Sequence, residues 1–269
     1  MVQLSSFIIS NGHLFACGDN QYGQLGLNDL QDRKIFTQVP SNTIFKSVFN
    51  REYHTVALDT EGNLWSCGKN GYGQLGLQDN HDRNILTKIN VDTLFKSVSS
   101  GFGHTVALDI EGSLWSCVPP NFRGQLGLNH NNNCNILTKI PSGTVFRSVS
   151  CGERHTVALD IEGDLWSCCR NSYGQLGLQD NHHRNALTKI PSGTMFRSVS
   201  CVDNHTIALD IDGNIWTCGE NLYGQLGFND TVGRNVLTKV PLDFLVNQLT
   251  NVTPIEKTKV KGAHTIINL

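Results

Sequence analysis

The chain lacks an excess of charge of either sign. Its 21 Lys and Arg residues stand against 23 Asp and Glu, a formal net charge of −2. A general nucleic-acid binder carries a basic excess or a basic block; neither is present, so direct nucleic-acid binding is not expected. Long apolar runs are also missing. No stretch approaches the roughly 20 residues of a membrane helix, and no membrane association is expected. The opening Met1-Val2-Gln3-Leu4-Ser5-Ser6-Phe7 has neither the basic start nor the apolar segment of a secretory leader. An intracellular location, cytoplasmic or nuclear, is the expectation. Catalytic signatures are absent too: there is no G-x-S-x-G, no Walker loop and no H-E-x-x-H. The chain is therefore expected to be neither an enzyme nor a cofactor binder.

What the chain has is repetition. The tetrad Gly-Gln-Leu-Gly starts at Gly23, Gly73, Gly124, Gly174 and Gly224, in steps of 50, 51, 50 and 50 residues. Each unit is too small to bury its own apolar face, so all 269 residues are expected to form one domain of stacked units.

The repeated sentence has a physical reading. His-Thr-Val-Ala-Leu, from His54, is a β-branched run that predicts a strand. Glu61-Gly62, Glu111-Gly112, Glu162-Gly163, Asp212-Gly213 and Asn11-Gly12 then mark a tight hairpin, because Gly accepts positive φ. Leu-Trp-Ser-Cys returns as a second strand, with Trp65, Trp115, Trp166 and Trp216 expected as the large core residue. The following loop holds Leu25, Leu75, Leu126, Leu176 and Leu226, expected to plug it into the core.

The combination of Gly-x-x-His-Thr (Gly101, His104, Thr105; Gly152, His155, Thr156), x-Gly-x-Leu-Trp and Gly-x-Asn-x-x-Gly-Gln-Leu-Gly resembles the RCC1 repeat, named for the regulator of chromosome condensation. The resemblance covers nearly the whole chain. It implies an all-β propeller, usually of seven blades, whereas the tetrads here leave room for five blades of four antiparallel strands. One blade is expected to gather residues 86–89, 95–99, 105–109 and 114–117. Lys88, Lys139, Lys189 and Lys239 suit an exposed outermost strand, and Ala57, Ala107, Ala158 and Ala208 a crowded place nearer the axis. Closure is expected in a fifth blade stitched from both ends, with 13–17 beside 236–240, 255–260 and 264–269. A closed ring would be a monomer; the rival is an open arc completed by a second chain.

The candidate sites follow the same symmetry. Cys17, Cys67, Cys117, Cys168 and Cys218 fall at one equivalent position, too far apart to bond, so all nine cysteines are expected free and metal-free in a reducing compartment. His54, His104, His155, His205 and His264 are expected to hydrogen-bond neighbouring backbone rather than ring a metal. Asp59, Asp109, Asp160 and Asp210 repeat with the blade and read as structural. Arg33, Arg83, Arg184 and Arg234 either attract an anionic partner or form local ion pairs, with Asp32, Asp79, Asp82 and Asp180 nearby. The third unit breaks the pattern at Pro119, Pro120, Phe122 and Arg123, where a loop contact with a partner, or simple drift, could lie.

Fold does not dictate function. The favoured expectation is a protein-interaction scaffold that binds through one face of the propeller. The resemblance implies a second possibility, guanine-nucleotide exchange on a small Ran-like GTPase. That activity uses a β-wedge insertion, which the even repeat spacing leaves no room for. A third is carbohydrate or small-ligand binding by Tyr22, Tyr72, Tyr173 and Tyr223, although core plugging by these rings is the plainer reading.

Overall fold

The computed structural model describes residues 5–51, 53–118 and 134–241. These residues form five antiparallel sheets in series. Sheet one has three strands, Ser5–Ser10 (β1), His13–Gly18 (β2) and Arg33–Gln38 (β3). Sheet two is Phe45–Arg51 (β4), His54–Asp59 (β5), Leu64–Gly68 (β6) and Arg83–Lys88 (β7). Sheet three is Phe95–Ser100 (β8), Thr105–Asp109 (β9), Leu114–Val118 (β10) and Cys134–Lys139 (β11). Sheet four is Phe146–Cys151 (β12), His155–Asp160 (β13), Leu165–Cys169 (β14) and Arg184–Lys189 (β15). Sheet five is Phe196–Val202 (β16), His205–Asp210 (β17), Ile215–Gly219 (β18) and Arg234–Lys239 (β19).

Two expectations about strand grouping are corrected. The strand expected at 86–89 is β7, and it closes sheet two rather than opening sheet three. Likewise β19 pairs with β18, and β2 pairs with β1 and β3, so β2 and β19 do not share a sheet. Sheet five is complete in four strands without the N-terminus. The expected strands at 255–260 and 264–269 lie outside the described residues. Sheet one lacks, among the described residues, the innermost strand that β4, β8, β12 and β16 provide elsewhere.

Successive sheets meet along their first two strands. The first strand is therefore innermost and the Lys-bearing strand outermost, as the Lys row predicted. Ala16, Ala57, Ala107, Ala158 and Ala208 are buried where small side chains allow close approach. Each sheet-to-sheet contact has its own apolar cluster, and the described residues contain four such clusters for five sheets.

The hairpins follow from the turn chemistry. Asn11-Gly12 forms a two-residue turn with both residues at positive φ, 51° and 78°. The later hairpins are one residue longer, and their glycine alone takes the left-handed backbone. The buried aspartate at the end of each second strand explains the difference. Asp59 Oδ1 accepts the amides of Glu61 and Asn63 at 3.0 and 2.8 Å, while Oδ2 accepts Trp65 Nε1 at 3.0 Å. The same indole bond recurs from Trp115, Trp166 and Trp216 at 2.8, 2.8 and 2.9 Å.

That bond ties the Trp row to the sheet surface, which corrects its expected place. The Trp rings are half-buried, and the largest fully buried side chains are Phe45, Phe95, Phe146 and Phe196. Each Phe meets the Trp of its own sheet edge-on, with centroids 6.0 to 6.3 Å apart. Phe146→Ala is expected to cost about 3–5 kcal/mol, and Trp166→Ala about 1–3 kcal/mol, because part of that ring already faces water. Urea denaturation of the two variants checks the order; a larger loss at Trp166 would overturn it.

Candidate functional site

Strand register decides which residues share a face. His54 lies opposite Gly68, and Gly68 opposite Arg83. The inner turn at 51–54, the loop at 69–82 and the start of the outer strand therefore stand at one end of sheet two. Sheets four and five repeat this, so one face of the molecule carries their inner turns, their Gly-Gln-Leu-Gly loops and their Arg residues.

Beneath that face the loop is built from buried polar side chains. Asn70 Oδ1 accepts the Leu75 amide at 3.0 Å, and Asn70 Nδ2 donates to the Asp79 carbonyl at 3.0 Å. Asn20, Asn171 and Asn221 do the same in their repeats. The loop thus inserts its leucine: Leu25, Leu75, Leu176 and Leu226 are buried as expected. Leu126 lies outside the described residues.

The loop also docks on the next sheet. The Gln24 carbonyl accepts Thr55 Oγ1 at 2.7 Å and Cys67 Sγ at 3.5 Å. Gln74 accepts Thr105 and Cys117 at 2.9 and 3.4 Å, and Gln175 accepts Thr206 and Cys218 at 2.8 and 3.5 Å. Each such hydroxyl, having donated its proton, accepts one in turn. His54 Nε2 meets Thr105 at 3.3 Å and His155 Nε2 meets Thr206 at 3.0 Å; His104 Nε2 likewise lies 3.3 Å from the Thr156 hydroxyl. At Thr55, where the preceding sheet has Ser5 in place of His, Asn50 Nδ2 supplies the proton at 2.9 Å. The histidines thus bond threonine hydroxyls of the next sheet, not the backbone that was expected. Donation to Thr places the proton on Nε2, and the bare Nδ1 atoms of His54 and His155 are buried without partners. Among the described residues no cluster of His, Cys, Asp and Glu is arranged to hold a metal.

Burial shifts these groups. It lowers His54 to about 4, and His104 and His155 to about 3; neighbouring His54 and Arg51 lower His104 further. It raises the thiols of Cys117, Cys151 and Cys201 to about 12. All nine cysteines are free, and seven of them are buried. Cys169 occupies a left-handed position, φ 92°, that is glycine in the first, second and fifth repeats.

The surface of the face is organised differently. Arg33, Arg83, Arg184 and Arg234 each pair with an aspartate four residues earlier: Asp29, Asp79, Asp180 and Asp230. Asp32 and Asp82 instead accept the Asn20 and Asn70 amides. The Arg row therefore stands on the outer part of the face with its charge locally offset. Pro119, Pro120, Phe122 and Arg123 lie outside the described residues. The tyrosines are not core plugs: Tyr72 and Tyr173 are exposed, and Tyr22 packs edge-on against Tyr53 at 5.1 Å.

Residues that the repeat pattern passed over stand at the centre. Lys69 Nζ lies 4.8, 5.1 and 5.9 Å from the ring centroids of Tyr22, Tyr53 and Tyr72. Tyr53 meets Phe102 at 6.4 Å, and the Arg154 guanidinium covers Phe102 at 5.1 Å. Backbone hydrogen bonds link the inner turns: the Phe102 amide donates to the Glu153 carbonyl at 2.9 Å and the Glu153 amide to the Asp203 carbonyl at 2.8 Å. Arg51 of sheet two then reaches Asp203 of sheet five at 2.5 Å. The available signal was disagreement: the three positions before the repeated His read Arg-Glu-Tyr, Gly-Phe-Gly, Gly-Glu-Arg and Val-Asp-Asn.

The sequence model described as the regulator of chromosome condensation (RCC1) repeat matches residues 11–58, 61–108, 120–159 and 162–209. A second RCC1 repeat model matches 146–175 and 196–225. The chain belongs to the RCC1 repeat family. Similar solved structures include human WBSCR16 (21% identity, TM-score 0.79) and yeast RCC1, also called Prp20, bound to Kap60 (22%, TM-score 0.75). In each case 88% of this RCC1-repeat chain is covered, but only 65% and 59% of the other chain. A further structure of Prp20p from Saccharomyces cerevisiae, 23% identical, concerns that protein's binding to Gsp1p and histones. The chain thus spans about three fifths of the length of these structures. No curated protein matches it. Among the described residues, no helix is long and apolar enough to cross a membrane.

Two measurements test the buried network. Above the ordinary His pKa of about 6.5, folded and unfolded chains are both neutral at these rings, and the rings are silent. Below it the unfolded chain takes up protons that the folded chain refuses. Stability therefore falls as pH falls, by up to about 1.4 kcal/mol per unit for each ring. The urea midpoint should drop steadily from pH 6.5 to 4.5, and less steeply in His104→Gln; a flat profile would contradict this. Thiol titration of the native protein should modify Cys17 and Cys134 well ahead of the buried seven. Rapid native reaction of all nine would show the burial to be wrong.

Proposed function

We propose that this RCC1-repeat chain is a non-enzymatic protein-interaction scaffold whose binding surface is the face bearing the inner turns. The observation that carries this reading is where the symmetry breaks. The His, Cys and Thr residues that recur in every interior unit are used up in holding sheets together, and the recurrent Asp in closing the hairpin of its own sheet, as their hydrogen bonds show. Tyr53, Phe102, Lys69 and Arg154 occur once each at their positions and gather at the centre of that face. Aromatic and Arg side chains are the usual anchors of protein interfaces. The Arg row lies on the outer part of the same face and would extend the contact.

The test is capture of partners from the source cell with the native chain and two variants. Tyr53→Ala/Phe102→Ala should lose at least about tenfold in affinity for the captured protein, the cost of an interface hot spot. A control pair on the opposite face, Glu61→Ala/Lys88→Ala, should bind normally. Equal binding by all three would remove the assignment to this face.

The family likeness keeps a small GTPase among the candidate partners, since Prp20p is a protein studied for binding Gsp1p. Exchange activity is the weaker reading. The Gly-Gln-Leu-Gly steps stay at 50 or 51 residues, with no inserted wedge between them. Sub-stoichiometric protein should leave nucleotide release from a Ran-type GTPase at its spontaneous rate; marked acceleration in a fluorescent-nucleotide assay would replace the scaffold reading with exchange.

A further inference from the structure

The Asn that pins each Gly-Gln-Leu-Gly loop has a backbone amide to satisfy as well as a side chain. In three of the four described loops a side chain caps that amide. The Asp32 carboxylate takes the Asn20 amide at 2.9 Å, and the Asp82 carboxylate takes the Asn70 amide at 2.6 Å. In the fourth repeat His183 Nδ1 takes the Asn171 amide at 2.9 Å. The cap always stands 12 residues after the Asn.

In the fifth repeat that position is Gly233, which has no side chain to offer. Asn221 is 1% exposed, and its side chain bonds Leu226 and Asp230 as its counterparts do. Its backbone amide, alone of the four, has no acceptor among the described residues. A buried amide left so costs free energy comparable to a lost hydrogen bond. No neighbouring element has taken the vacant place. A Cβ at Gly233 would meet the Gly219 carbonyl at 3.1 Å and the Tyr173 carbonyl at 4.0 Å, and nothing else that near among the described residues.

The missing side chain leaves a pocket of about 340 Å³ between the fourth and fifth loops, on the outer part of the candidate face. Tyr173 and Leu222 give it apolar walls, and Glu220 and Asn235 line it beside Asn221 and Gly233. The Glu220 carboxylate takes one hydrogen bond, from Asn204 Nδ2 at 3.2 Å, and has no ion-pair partner among the described residues. The pocket therefore asks for two things at once. The Asn221 amide needs an acceptor, and Glu220, which can only accept, needs a donor. A carboxylate such as Asp82 supplies would meet the first need and be repelled by Glu220. A primary carboxamide meets both, because it carries a carbonyl oxygen and an NH2 group on one uncharged plane. Its methylene stem suits the walls.

We propose that this pocket receives an Asn or Gln side chain of the protein partner, whose carbonyl caps the Asn221 amide as Asp82 caps Asn70, and whose NH2 group donates to Glu220. The source of that side chain rests on the scaffold reading above; the chemistry of the pocket stands apart from it.

Titration of the full chain with propionamide, followed in proton–nitrogen correlation spectra, tests the pocket without the partner. A group this small is expected to bind at about millimolar concentration. The Asn221 amide resonance should move and saturate, while that of Asn70, already capped by Asp82, stays in place. Propionate should bind at least about tenfold more weakly, since a like charge faces it, and Glu220→Gln should narrow that preference. Gly233→Asp restores the side chain of the first two repeats; it should abolish the Asn221 shift and leave the Asn70 resonance where it was, the sign of an intact fold. An Asn221 resonance that never saturates, or an Asn70 resonance that moves equally, would overturn the proposal. So would tighter binding of propionate, which would assign the pocket to an acidic side chain, or of methyl glucoside, which would assign it to a sugar. Tyr53→Ala/Phe102→Ala should titrate like the native chain, so the pocket and the centre of the face are read separately. Partner capture by Gly233→Asp should fall. Undiminished capture beside a positive titration would take the pocket out of the interface and leave the scaffold reading standing.

Discussion

One backbone carbonyl, in the first, second and fourth repeats, holds neighbouring sheets together. The Gln of Gly-Gln-Leu-Gly points its carbonyl out of its own unit, where it receives a Thr hydroxyl and a Cys thiol from the next. A buried carbonyl without a donor costs free energy comparable to a lost hydrogen bond. Every loop of this kind therefore demands a following sheet, and that demand turns a string of small units into a stack. The histidine one residue before the threonine extends the chain of bonds to the sheet beyond. The network runs Gln carbonyl, Thr hydroxyl, His imidazole, with Gln and His on one sheet and Thr on the next, so it is satisfied only when both sheets are in place.

The arrangement separates what holds the fold from what is free to recognise a partner. Recurrent residues lie beneath the face or between sheets, where their chemistry is quenched. The histidines are held neutral by burial, the thiols are held protonated, and the aspartates are saturated by amide and indole donors. The inner turns have no such duty. Their backbones are linked by hydrogen bonds from the Phe102 amide to the Glu153 carbonyl and from the Glu153 amide to the Asp203 carbonyl, while their side chains differ in each sheet. A rigid ring of short turns with unlike side chains is a suitable base for a specific contact, because little ordering entropy is lost on binding.

Much of this was legible in the residues. The strands, the Lys edge, the buried leucines and the free cysteines follow from period, turn chemistry and symmetry. The centre of the candidate face was not legible, because a repeat is read by agreement and Tyr53, Lys69 and Phe102 are places of disagreement. The tyrosines beside the loops were misplaced for a related reason. An aromatic residue next to a buried Leu suggests a plug, but the loop spends its inward positions on Asn and Leu, so the Tyr ring turns outward.

By itself the sequence determined the unit: five copies, their strands and hairpins, and the conformations that Gly and Asn make possible. Only the tertiary structure decided how the units are cut into sheets. In a repeating chain, β7 can be assigned to the sheet before it or the sheet after it with equal local sense, and its short connection to β8 favours the second. The structure chooses the first, because the long loop at 69–82 folds back over the end of its own sheet, buries Leu75 there, and brings β7 alongside β6. The same choice places Phe rather than Trp at the centre of the core. Phe45 opens the innermost strand, between two sheets, whereas Trp65 is held half-exposed by its bond to Asp59. Burial belongs to neighbours that are distant in sequence, and local pattern does not name them.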